Sequence, residues 1–497
     1  MTGDIALSCW AHSLPAKGMF VHRTRTIAVA TLALLNVFTI GAGVAVAHML
    51  PPRLAALRIP GTVSGPLIAA APVLAQAQAA AGRPTAAGLS AMLGAALPSA
   101  DTGPGVGIEV ADAQTGQVLY QSNASALATP ASTTKLMTAV AAVAVLGPDA
   151  RFTTAVRQQK GTIVLVGGGD PTLAVNQYPS SDYPQPATLA ALAASAARAL
   201  RAQGRDSVRL DYDVSLYRGP DMAPGWTDGD VSTGNVTPIV ALEADQGRLT
   251  PDGALQDSDD PVNYSARTMD PAGMTAAAFA SLLKRDGISV TGTPAPETLS
   301  GSSTPLASVS SPTVAAIAEQ MLLESNNVIA ENLARQVAIA LGMPATFSGA
   351  AGAVMAEARR LGVTTPIDLV DGSGLSPEDG IAPETLVRVL TLAASSPRLR
   401  AVVTGLPVAG FVGTLSSGDS DFGGIGSLAG GAARGVVRAK TGNLSTVAAL
   451  AGLAYDRSGR LLIFAIMAPQ VPGASSLQDA ADAIDSAAAG LAGCGCR

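Results

Sequence analysis

A serine at the mouth of a long apolar run constrains this chain more than any other stretch. In Pro130-Ala131-Ser132-Thr133-Thr134-Lys135 the run opens at Leu136 and continues to Leu146 without a charge. A proline just ahead of an uninterrupted apolar segment predicts a buried helix whose first turn carries Ser132. Lys135 follows three residues on and so shares that face, one turn along. A hydroxyl there feels the unpaired N–H groups and positive end of the helix, which favour an alkoxide and the oxyanion that follows from it. The amine beside it can take the proton.

The spacing alone is weak. With 39 serines and five lysines in 497 residues, composition predicts roughly 0.4 Ser-x-x-Lys by chance. A second one does exist, Ser281-Leu282-Leu283-Lys284, but it closes the helical pattern Thr275 to Lys284 just before Asp286-Gly287. Its lysine reads as a last-turn residue that complements the helix dipole. Two further stretches raise the first motif above that background. Ser325-Asn326-Asn327 is the one Ser-x-Asn in the chain, and Lys440-Thr441-Gly442 is the one Lys-Thr-Gly. They occur in the order Ser-x-x-Lys, Ser-x-Asn, Lys-Thr-Gly, the signature set of serine β-lactamases and penicillin-binding proteins. On these residues the chain resembles the D-alanyl-D-alanine carboxypeptidase/endopeptidase family of class C, low-molecular-mass penicillin-binding proteins, peptidase family S13.

Composition narrows the chemistry independently. All three histidines, His12, His22 and His48, precede the expected folded region, which excludes from it a Ser-His-Asp triad and a histidine-built metal site. The cysteines, Cys9, Cys494 and Cys496, stand at the extreme ends, so Cys-His catalysis and a disulfide framework are excluded too. A serine nucleophile here must take lysine or a carboxylate as its base. After residue 100 there are four lysines, Lys135, Lys160, Lys284 and Lys440, and two of them sit in the motifs. The net charge of −6 gives no electrostatic reason to expect nucleic acid as a partner.

Taken in order, residues 1–26 form a polar tail expected on the cytoplasmic side, and residues 27–47 carry 21 positions without a charge. That is long enough to cross a bilayer. The segment reads as a signal anchor or, with Ala45-Val46-Ala47 as its cleavage site, as a signal peptide. Residues 48–104, rich in Ala, Pro and Gly, read as a linker, with packed helix over Ala77 to Leu97 as the alternative. Gly105 to Tyr120 reads as a β-hairpin turning at Asp112 to Gly116, and Gly435 to Lys440, Thr446 to Tyr455 and Arg460 to Ala468 as three further strands. Helical patterns fill Thr313 to Leu341, Ala350 to Leu361 and Leu477 to Leu491. Strands at both ends with helices between predict one antiparallel sheet flanked by helices, its terminal strands paired.

The resemblance implies the same α/β, transpeptidase-like fold, with a catalytic domain over 105–154 and 266–497 and an inserted subdomain over 155–265. Gly167-Gly168-Gly169-Asp170-Pro171 lies in that insertion, and Asp371-Gly372-Ser373-Gly374 also matches the family. For Asp170, Asp371 and Ser373 the reading is turn and loop stabilisation.

The resemblance further implies a penicillin-sensitive carboxypeptidase outside the cytoplasm, with endopeptidase action as a second activity open to the family, acting on peptidoglycan stem peptides and needing no metal or cofactor. Ser132 attacks the carbonyl between two D-alanines with Lys135 as general base. Burial and the charge of Lys440 are expected to lower the Lys135 pKa. Ser325 relays a proton to the leaving amine and Asn327 orients Lys135. Lys440 and Thr441 suit the terminal carboxylate, Gly442 admits a ligand close to the main chain, and the N–H groups of Ser132 and Asn443 hold the oxyanion. Asn443 departs from the Thr or Ser usual after Lys-Thr-Gly. The alternatives are a β-lactamase of this fold, against which stands the lack of a Glu-x-x-Leu-Asn segment, and a wall-binding module with a relict site.

Overall fold

The computed structural model describes residues 82–253, 255, 265–416, 431–473 and 476–496. The segment 27–47, expected to meet the membrane, lies outside them; among the described residues no helix is long and apolar enough to cross a bilayer.

The described chain begins with helix α1 (Ala86–Ala96), capped by Thr85, whose hydroxyl accepts from the Gly88 N–H. Its Leu89 and Leu93, four residues apart on one face, are fully buried. Of the two readings of this stretch, packed helix is the one found over Ala86–Ala96, while 48–81 lie outside the described residues; two leucines suffice to anchor a helix that alanine makes easy to form. Strands β1 (Gly107–Asp112) and β2 (Val118–Ser122) form the expected hairpin. A 3-10 turn, Ala131–Thr134, then carries Ser132 into helix α2 (Lys135–Leu146).

The second sheet follows, with β3 (Thr153–Gln159), β4 (Thr162–Val166), helix α3 (Leu189–Ala202), β5 (Ser207–Asp213), helix α4 (Pro271–Arg285), β6 (Ser289–Thr291) and β7 (Thr304–Ser310). The strand order is β6-β5-β4-β3-β7, with β4-β5 and β5-β6 parallel and β3 antiparallel to both neighbours. Its core packs Ile163, Leu165 and Leu210 against Leu192 and Leu200 of α3 and Phe279 and Leu283 of α4. Residues 266–310, expected with the catalytic half, thus contribute a helix and two strands to the inserted sheet.

Helices α5 (Val314–Glu324) and α6 (Asn327–Ala340) come next, then α7 (Phe347–Arg360) and α8 (Pro383–Ser395). The helical pattern expected over Thr313 to Leu341 is broken in the middle. Ser325 caps α5 in the left-handed region (φ 59°, ψ 33°), and Asn326 caps α6 through its side chain. The chain ends with β8 (Val437–Leu444), β9 (Val447–Tyr455), β10 (Leu461–Ala468) and helix α9 (Leu477–Gly493).

The main sheet has the order β8-β9-β10-β1-β2, antiparallel throughout, so the first and last strands of the fold are neighbours, with Val110 opposite Phe464. Leu461-Leu462-Ile463-Phe464-Ala465-Ile466-Met467 reads as unbroken apolar sequence because both faces are covered. Ile463, Ala465 and Met467 pack with α2, α6, α7 and α8, while Leu462, Phe464 and Ile466 pack with α1 and α9. Cys494 and Cys496 are bonded to each other across one residue, a ring too small to serve as the excluded framework.

Candidate active site

The three motifs, far apart in sequence, meet at one cleft of about 670 Å³. Ser132 enters on the 3-10 turn, Ser325 and Asn327 from the α5–α6 break, and Thr441 and Asn443 from the end of β8. Two residues of the site motifs adopt backbone conformations that L side chains rarely take: Ala131, directly before Ser132, at φ 47° and Ser325 at φ 59°. Such strain persists only where the surroundings over-determine it. At Ala131 the constraint is visible, because a Cβ added to Gly374 would lie 1.9 Å from the Ala131 carbonyl oxygen.

Lys135 is fully buried at the start of α2. Its Nζ donates to Ser132 Oγ at 2.8 Å, to Asn327 Oδ1 at 2.5 Å and to the Ser373 carbonyl at 2.8 Å. Asn327 is held in turn by its Nδ2, which donates to the Asn235 carbonyl at 3.0 Å. Burial pushes the Lys135 pKa down to about 7, against the opposing pull of Asp371, Glu331 and Asp379. An amine near neutrality is half free to accept a proton, as a general base requires.

Lys440 is also fully buried, and its Nζ donates to Ser325 Oγ at 2.8 Å and to the Thr441 carbonyl at 3.0 Å. Burial first, and the charge of Lys135 second, hold its pKa well below the usual ammonium value. The expectation that Lys440 depresses Lys135 is thereby reversed: burial and the three carboxylates act on Lys135. The physical reason is that three carboxylates surround Lys135, whereas the charge acting on Lys440 is that of Lys135 itself.

Gly442 needs a second correction. A Cβ there would meet the Pro130 carbonyl oxygen at 2.7 Å and the Thr133 nitrogen at 3.1 Å. The close approach that this glycine permits is between β8 and the turn bearing the nucleophile, within the protein itself. Gly442 is buried and outside the cleft lining, whereas Thr441 and Asn443 line it.

The second Ser-x-x-Lys is surface. Ser281 and Lys284 are exposed on α4, and the Ser281 hydroxyl donates to its own helix at the Ala277 carbonyl. Asp371 is structural, accepting from the N–H groups of Ser373, Gly374 and Ser376 and from Trp226 Nε1. The loop that it shapes delivers the Ser373 carbonyl to Lys135. Asp170 likewise closes its own turn onto Thr172.

Two contributors escaped sequence reasoning. Asn235 comes from the inserted region and supports Asn327 through its carbonyl, a role open to any residue type. Thr414 shares a 3.1 Å hydrogen bond with Thr441 and has no motif around it to mark it.

Three comparisons bear on this arrangement. The model of the D-Ala-D-Ala carboxypeptidase 3 (S13) family matches residues 89–252 and 244–491. Carboxypeptidase DacB of Mycolicibacterium smegmatis is 39% identical over 420 residues, 83% of this chain and 85% of that protein. Carboxypeptidase Rv3627c of Mycobacterium tuberculosis is 35% identical over 451 residues, 89% and 91% of the two chains. In fold, the chain is like penicillin binding protein 4 (dacB) from Haemophilus influenzae, with a TM-score of 0.63, 23% identity and coverage of 80% of this chain and 98% of that one.

Proposed function

The chain belongs to the D-Ala-D-Ala carboxypeptidase 3 (S13) family, and on that footing we propose that it is an extracytoplasmic serine carboxypeptidase that removes the terminal D-alanine of peptidoglycan stem peptides. The observation that carries this reading is the buried Lys135 amine 2.8 Å from Ser132 Oγ.

Ser132 Oγ attacks the carbonyl carbon of the penultimate D-alanine while its proton passes to Lys135 Nζ. The N–H groups of Ser132 and Asn443 receive the negative charge on the carbonyl oxygen. The C–N bond then breaks, and the departing amine takes a proton through the Ser325 hydroxyl, which Lys440 contacts at 2.8 Å. Water attacks the resulting ester, releasing the shortened peptide and restoring Ser132. The substrate's terminal carboxylate lies at the Lys440 and Thr441 end, where its charge favours the ammonium form of Lys440. A β-lactam is opened by the same attack. A cross-link in which the leaving amine belongs to another stem is cleaved by the same steps.

Glu331 favours this over the β-lactamase reading. Both its oxygens lie 3.0 Å from the Gly372 N–H, it is fully buried outside the cleft lining, and burial raises its pKa to about 8. It is therefore no base for a deacylating water.

In this reading residues 155–265, together with α4, β6 and β7, belong to the inserted subdomain, and residues 27–47 hold the enzyme at the outer face of the membrane or are removed after Ala47. Intact-protein mass spectrometry after penicillin, with D-alanine release from an acyl-D-Ala-D-Ala peptide, tests the reading. One adduct per chain, lost in Ser132→Ala together with D-alanine release, is the expected result. An adduct that survives in Ser132→Ala overturns it.

A further inference from the structure

Behind the cleft lies a second cavity of about 20 Å³. Thr414, Thr441 and Asn443 line both spaces, so this cavity is the back of the wall that meets the substrate. Its far side is α9, which brings Asp485, a residue only 7% exposed. A space of that size with polar groups on both sides has room for one water.

Asp485 is an unusual residue to bury there. The charged group that acts on it is Asp482 on its own helix, while β8, β9 and the Gly413–Leu415 turn bring only neutral side chains to the cavity. Burial, reinforced by Asp482, pushes its pKa well above the usual carboxylate range. A protonated carboxyl has one O–H to give, and a hydroxyl has one proton and two lone pairs.

We propose that Asp485 is a positioning residue that sets the direction of a hydrogen-bond chain running from its acid O–H through one water and Thr414 to Thr441. Directed this way, the chain leaves the Thr441 hydroxyl donating into the cleft, toward the substrate's terminal carboxylate. An ionised Asp485 reverses the chain, turns that hydroxyl proton inward and sets a lone pair against the carboxylate. The inference rests on the reading that the Thr441 end of the cleft takes the carboxylate.

The test uses the full chain and kcat/KM for an N-acyl-D-Ala-D-Ala peptide and for its C-terminal amide, in the wild type, Asp485→Leu and Asp485→Asn. On the acid side of the profile, Asp485→Leu loses roughly tenfold of the preference for carboxylate over amide, the size of one neutral hydrogen bond. Asp485→Asn, which keeps a donor, stays within about twofold. As pH rises through the ionisation of the acid the wild-type preference declines, whereas that of Asp485→Asn declines less. Rates on the amide follow one another in all three proteins. A full preference retained by Asp485→Leu, or an Asp485→Asn profile that tracks the wild type, overturns the inference; should the leucine variant fail to fold, the asparagine profile decides. A wild type that shows no preference for the carboxylate instead overturns the site reading on which the inference rests.

Discussion

Asn327 Oδ1 lies 2.5 Å from Lys135 Nζ, joining residues 192 positions apart in the sequence. The same asparagine uses its Nδ2 on the Asn235 carbonyl, so the amide cannot flip without losing both bonds, and the base is held at a fixed distance from Ser132. Asn327→Ala removes this restraint. Acylation by penicillin should slow roughly 10- to 150-fold, the range for a hydrogen bond to a charged group, as followed by the rate of adduct formation in mass spectra. A rate within twofold of the wild type excludes the positioning role.

The two buried lysines separate by substrate and by pH. Lys135→Ala removes the base, and acylation should fall by about 10²–10⁴-fold with any substrate. Lys440→Ala removes a partner of the terminal carboxylate and should cost about 10- to 150-fold on a carboxylate substrate, with little loss on the corresponding amide. The wild-type rate should decline below about pH 7, where Lys135 takes up its proton. Because burial and the three carboxylates set the Lys135 pKa, that acid limb should stay in place in Lys440→Ala. An upward shift of the limb in this variant would show that Lys440 carries its charge beside Lys135.

Much of this was legible because its signals are local. Hairpin turns and apolar runs mark the strands that pair the two ends of the chain, and three short motifs mark the cleft. What escaped depends on packing. Strand β7 is half exposed and β6 has three residues, so neither shows the alternation that would have assigned residues 266–310 to the second sheet. The left-handed Ser325 interrupts a helical pattern without glycine or proline to announce it. Gly442 reads as an open ligand edge until the Pro130 carbonyl is found against it. The Lys135 pKa depends on the three carboxylates around it, and these come from α6 and the loop after α7.

Ser281 provides the control for motif recognition. Its hydroxyl is exposed and bonded to its own helix, so Ser281→Ala should keep full penicillin labelling and change stability by no more than about 0.5 kcal/mol. Labelling and a thermal melt read the two together.

The interface between the inserted sheet and α6 should make stability fall as pH rises. Glu243 is fully buried there and accepts from Asn332 Nδ2 at 2.8 Å, and Asn332 Oδ1 accepts in turn from the Tyr217 hydroxyl at 2.9 Å. Burial raises the Glu243 pKa from 4.5 to about 8, Asn332 and Arg267 lower it, and the nearby Asp170 adds to the rise. The folded state therefore binds this proton where the unfolded state has released it. Stability is present in full below the unfolded value, declines from about pH 4.5 and is lost by about pH 8, a change on the order of a few kcal/mol. Glu243→Gln keeps an oxygen for Asn332 and removes the titration. In urea melts the variant should be close to the wild type at about pH 5 and more stable than it at about pH 9. The slope of the variant should be reduced but not abolished, because Glu331 is raised in the same way, to about 8. Parallel profiles for the two proteins would mean that Glu243 is charged in the folded state, and that Asn332 and Arg267 together overcome the cost of burying it.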